Sequence, residues 1–109
     1  MKLCVVSVGV LLAATSVAQA QDLQHGLSLA RQVCAECHAI QPQQLKSPNP
    51  KSPTFPDIAA TPGMTNTALS VALTTPHAGM PMFRLTTDQR ADIIAYILSL
   101  KQAGAQPGK

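Results

Sequence analysis

The sequence predicts an all-α fold in which three main helices are joined by loops. Three observations predict it. Apolar residues recur at helical spacing in three separate segments, each preceded by a residue type that caps helices. A stretch of 22 residues between the first and second segments holds six prolines. No run of alternating β-branched residues, the mark of a half-buried strand, occurs.

Leu23, Leu27, Ala30 and Cys34 stand at i, i+4, i+7 and i+11, one face of a first helix that Asp22 would cap. That helix delivers the segment Cys34 to His38 at its end. From Gln41 to Pro62 the prolines are Pro42, Pro48, Pro50, Pro53, Pro56 and Pro62. Such a stretch reads as a wrapping loop with fixed φ angles, anchored by Phe55 and Ile58. Thr65 then opens a second helix as its N-cap, with Met64 and Leu69 as a hydrophobic staple. Its apolar face is Leu69, Ala72 and Leu73, and Pro76 closes it. Thr86 and Gln89 form the capping box of a third helix, whose stripe is Ile93, Ile97 and Leu100, widened by Ile94 and Leu98. Gly104 follows its end, and residues 102–109 are expected to fray.

Residues 1–20 have the layout of a secretory signal peptide: Lys2, an uncharged stretch from Leu3 to Ala14, and Ala18-Gln19-Ala20 before Gln21. The apolar run is too short for a permanent span, so stable membrane insertion is not expected. Residues 21–109 are then a single domain of 89 residues, exported to the periplasm. Loss of Lys2 takes the net charge from +3 to +2. The remaining basic residues are scattered and form no stripe, which excludes a nucleic-acid partner. Only Phe55, Phe83 and Tyr96 are aromatic, little with which to stabilise so short a chain. Something other than side chains is expected to fill the interior.

The cysteines say what. Cys4 departs with the signal, leaving Cys34-Ala35-Glu36-Cys37-His38, the C-x-x-C-H pattern of covalent c-type haem attachment. Residues at i, i+3 and i+4 of a helix share a face, so both sulfurs reach the two vinyl groups while His38 reaches the iron. A thioredoxin-like dithiol would sit near a βαβ pattern, which is missing. A structural zinc site needs four ligands, and His25 and His77 stand at no ligand spacing. The cofactor expected is therefore one covalently attached haem c per chain. A second axial ligand is commonly Met, and Met64, Met80 and Met82 are the candidates. The segment from Pro76 to Phe83, stiffened by prolines, suits a ligand held by backbone rigidity, whereas Met64 is accounted for as a staple.

Cys34-Ala35-Glu36-Cys37-His38, Pro53-Thr54-Phe55, Met80-Pro81 and Leu85-Thr86 before a helix holding Ala95-Tyr96-Ile97 together resemble a bacterial monohaem cytochrome c of the class I type. The resemblance runs from about Gln24 to Leu100 and makes residues 21–109 a cytochrome c domain. It implies a small cytochrome c-like fold around the haem. It also implies that Met80, before Pro81, is the distal ligand, with Met82, His77 or an open position as alternatives. Pro53 would accept the Nδ1–H of His38 through its carbonyl, and Gly26 would allow Tyr96 close where the first and last helices cross. The iron ligands are thus His38 and Met80, with Cys34, Cys37 and Pro53 completing the cofactor-binding set.

With both axial positions filled, substrate has no place on the iron, and no general base, nucleophile or phosphate loop is evident. The expected function is one-electron transfer between a redox donor and acceptor that dock transiently, not catalysis. The alternatives are a haem c subunit of a periplasmic oxidoreductase complex, and a haem-based gas sensor in which Met80 is displaced.

Overall fold

A computed structural model describes residues 22–104 of the chain. The expected signal peptide and the end of the tail, residues 105–109, lie outside the described residues. Four helices follow in order: α1 Leu23–Val33, α2 Phe55–Ala60, α3 Asn66–Thr74 and α4 Thr87–Gly104. No strand occurs among the described residues. The three main helices are α1, α3 and α4.

Each main helix begins where its capping chemistry places it. The Asp22 carboxylate accepts the Gln24 and His25 N–H groups, both at 3.0 Å, satisfying two donors that the first turn of α1 leaves unpaired. Thr65 Oγ1 accepts the Ala68 N–H at 3.1 Å to open α3, with Leu69 buried and Met64 packed against the core beside it. At α4 the exchange is reciprocal: Thr86 Oγ1 accepts the Gln89 N–H at 3.1 Å, and Gln89 Oε1 accepts the Thr86 N–H at 3.0 Å. α3 stops at Thr74, two residues before Pro76, as the steric demand of proline on its predecessor requires. α4 continues through Gly104 instead of ending before it.

The short helix α2 corrects the reading of residues 41–62 as loop throughout. Pro56 is its second residue, where the missing N–H would have had no helical partner anyway. Thr54 Oγ1 caps it by accepting the Asp57 N–H at 3.1 Å, and Asp57 places a negative charge in the first turn. The signal was present as Thr54-x-x-Asp57, obscured by the density of prolines. The expected face of α1 holds at Ala30 and Cys34, which are buried, and at Leu27, which packs against the core, but not at its first residue. Leu23 is 44% exposed, whereas Gly26, Leu29 and Ala30 are buried.

α4 is the spine, packing against α1, α2 and α3. Its Ile93, Ile94, Ile97 and Leu100 are all buried, and together with Leu29, Phe55 and Leu69 they make one continuous core. α1 crosses α4 at Gly26. A Cβ built there would stand 2.9 Å from Tyr96 Cβ and collide with the Asp92 backbone carbonyl, so the crossing requires glycine. The same crossing is tied by polar groups. Asp92 accepts the Asp22 N–H at 2.9 Å and the His25 Nδ1–H at 2.6 Å.

These bonds hold the Asp92 carboxyl below its ordinary value near 3.8, chiefly through His25, against a smaller opposing effect of partial burial. A carboxyl depressed in the folded state stabilises above its ordinary pKa, and that contribution fades as pH falls through the folded value. Asp92→Asn is therefore expected to lower the urea midpoint at pH 7. The gap from the native chain should narrow when the measurement is repeated below pH 3.8. A gap constant with pH would remove the carboxylate from the account.

Candidate haem-binding site

The site begins at the end of α1. The helix stops at Val33, so the two cysteines are not on a continuing helix as the spacing argument assumed; they lie in the turn that follows. Cys34 N–H donates to Ala30 O at 2.9 Å, while Cys37 and His38 N–H both donate to Cys34 O, at 3.1 and 2.9 Å. Two successive bonds to one carbonyl keep the turn tight. This gathers Cys34, Cys37 and His38 on a short piece of backbone.

A cavity of about 590 Å³ opens beside this turn, within the range of sites that enclose a sizeable cofactor. Cys34 and His38 line it from α1's end, Met64, His77 and Met80 from α3's flanks, and Phe55, Leu69, Ile93 and Ile97 supply apolar wall. Asn49, Lys51 and Ser52 contribute its polar part, which the sequence reading left unassigned. Cys37 is half-buried but does not line the cavity, and Met82 is 49% exposed away from it. Cys34 and Cys37 are both free thiols, and burial pushes the Cys34 thiol up to about 11.

His38 is fixed from behind. Its Nδ1–H donates to the Pro53 carbonyl at 2.6 Å, the contact implied by the resemblance. The bond selects the tautomer whose Nε2 carries the free lone pair, the state in which imidazole ligates a metal. Pro53 is locally rigid because three prolines stand within six residues, Pro48, Pro50 and Pro53. Behind the ring lies Phe55, 5.6 Å away, and behind Phe55 lies Tyr96, 6.4 Å between centroids. Tyr96 then donates its hydroxyl to Ile40 O at 2.6 Å, tying α4 to the segment that follows His38. Neither partner is predictable from local sequence, since 56 residues separate them.

Removing this hydroxyl leaves a buried carbonyl without its partner, for which the expected loss is about 1–2 kcal/mol. Tyr96→Phe should therefore unfold at lower denaturant while keeping its helix content. An unchanged midpoint would show that water replaces the phenol.

The residues present fit a haem: the His38 imidazole and the Met80 thioether share a cavity, a thiol stands at its edge, and most of the remaining wall is apolar. Among the described residues, no three of His, Cys, Asp and Glu gather into a metal site on their own. No helix there is long and apolar enough to cross a membrane.

Comparison with known proteins agrees. Residues 21–97 match the family model described as cytochrome C oxidase, cbb3-type, subunit III. The chain is also similar to cytochrome c-552 of Bradyrhizobium diazoefficiens, with 37% identity over 87 residues, covering 80% of this chain and 83% of that protein. No solved structure matches it significantly.

Proposed function

The chain belongs to the cytochrome c family, as a monohaem protein of the class I type, and from that membership we propose that it is a periplasmic one-electron carrier whose haem is bonded to Cys34 and Cys37 and ligated by His38 and Met80. Members of this family transfer electrons through haem to redox partners, and the finer assignments rest on the residues around the cavity. The observation that carries the reading is His38, its Nδ1–H held by Pro53 O and its Nε2 left free on a cavity that Met80 shares.

Bound haem supplies the change between Fe(II) and Fe(III). The chain supplies everything else. Pro53 and Phe55 orient His38, so little reorganises when an electron arrives. Leu69, Ile93 and Ile97 exclude water from the wall, which disfavours added charge and sets the potential together with the ligands. Met80 sits on a turn stiffened by Pro76 and Pro81, and a thioether there favours the reduced ion.

The test is the absorption spectrum of protein recovered from the periplasmic fraction, oxidised and reduced. It should be low-spin and six-coordinate in both states, with a methionine–iron charge-transfer band in the oxidised form, and the colour should stay with the chain on denaturation. A colourless periplasmic product overturns the reading. The description of the matched family favours a second reading, a haem c subunit of an oxidoreductase complex. Co-purification with a larger partner at constant stoichiometry would select it.

A further inference from the structure

The loop between α3 and α4 brings two donor atoms to the cavity, not one. His77 and Met80 are the first and fourth residues of a tight turn, closed by the Met80 N–H to His77 O at 3.4 Å. Gly79 has φ +81°, the positive value that the third position of a type II turn demands. The turn sets His77 Nε2 3.1 Å from Met80 Sδ, and both residues line the same cavity as His38.

That contact is within hydrogen-bonding range of sulfur, and its polarity follows the tautomer of the ring. His77 Nδ1 lies 3.2 Å from Thr75 O. A carbonyl only accepts, so a ring carrying its proton on Nδ1 donates there and presents Nε2 as a lone pair. A thioether sulfur likewise offers lone pairs and no proton. A ring nitrogen and a thioether sulfur, both groups that ligate iron, therefore sit side by side at one place on the wall. His77 also repeats the arrangement of His38: one ring nitrogen against a backbone carbonyl, and the other on the cavity side, here beside the Met80 sulfur. This is how ligating histidines are held.

We propose that His77 is a reserve ligand for the haem iron, placed to take the position of Met80 whenever the thioether leaves it. The proposal rests on Met80 being the resident ligand. Tethering gives His77 an effective concentration in the millimolar range or above, so it competes well against ligands from solution. Loss of Met80 then converts a His/Met centre into a His/His centre and leaves no open coordination position. The two imidazoles would lower the potential and keep small gases off the iron.

The experiment uses holoprotein of the native sequence, His77→Ala, Met80→Ala, Met80→Leu and the two doubles with His77→Ala. Met80→Leu retains side-chain bulk should the alanine variant fail to mature. Electron paramagnetic resonance of the oxidised form and carbon monoxide titration of the reduced form are the readouts. Both Met80 single variants should remain low-spin with a bis-imidazole signature, and the doubles should become high-spin. Carbon monoxide should bind the doubles about tenfold or more tightly, because an internal ligand reduces the open fraction of the singles. Single variants that are high-spin and bind carbon monoxide as the doubles do would overturn the proposal. The methionine–iron band reports the underlying assignment separately: it should be present in the native and His77→Ala proteins. Its absence from the native protein would remove Met80 as resident ligand irrespective of the other variants.

Discussion

Replacing Cys34 and Cys37 together by alanine is expected to give a colourless chain that has lost most of its helical circular dichroism. The cavity measures about 590 Å³, and its wall includes Phe55, Leu69, Ile93 and Ile97, which are also the centre of the core. At about 24 cal/mol per Å³, holding such a volume open would cost on the order of 10 kcal/mol, although water entering its mouth reduces this. That is comparable with the entire stability of an ordinary small domain, about 5–15 kcal/mol. Without a covalently held filler the helices collapse inward or come apart. A double variant with native helicity and a cooperative thermal transition would show that the side chains suffice alone.

Gly26→Ala should produce the second large effect. The new methyl carbon would meet Tyr96 Cβ at 2.9 Å and the Asp92 carbonyl, and backbone cannot swing aside as a side chain does. Overpacking of this kind costs about 1–3 kcal/mol, and a clash with backbone belongs at the top of that range or above it. Alanine returns up to about 1 kcal/mol through helix propensity. The net expectation is a loss of about 2 kcal/mol, or a fall in Tm of about 10 °C for a domain of this size. Gly63→Ala is the natural control. It meets nothing within 4 Å and is opposed only by its φ of +78°, so its loss should be the smaller. Equal melting temperatures for Gly26→Ala and the native protein would mean that α1 and α4 do not touch there.

What could be read from the sequence follows from the range of the interactions. Asp22, Thr65 and the Thr86–Gln89 pair each bond a group within three residues, so the composition of a short window reveals them. The apolar stripe of α4 was legible because a helix repeats its faces regularly, whereas Gly26 came from the resemblance. The departures have equally physical causes. Pro56 looked like a helix breaker because its effect depends on position, and the first turn tolerates it. Leu23 obeys the same spacing as the buried face of α1, yet lies in the first turn where the chain has not reached the core. At the site, local sequence indicated the cysteines and the imidazole, and the resemblance singled out Met80 among the methionines. Local sequence gave no sign that Tyr96 reaches Ile40 or that His77 stands against the Met80 sulfur. The first contact depends on where a loop returns across 56 residues, and the second lies within four residues but depends on the conformation of their turn.

Cys34 retains only 8% of its surface, at the end of α1 on the wall of the cavity. On the proposed attachment, that burial imposes a chronology on biogenesis. Thioether formation is then expected before the packing that buries Cys34 is complete. The finished architecture is then the product of ligation, and a pre-folded apoprotein would be a poor substrate for the machinery that performs it.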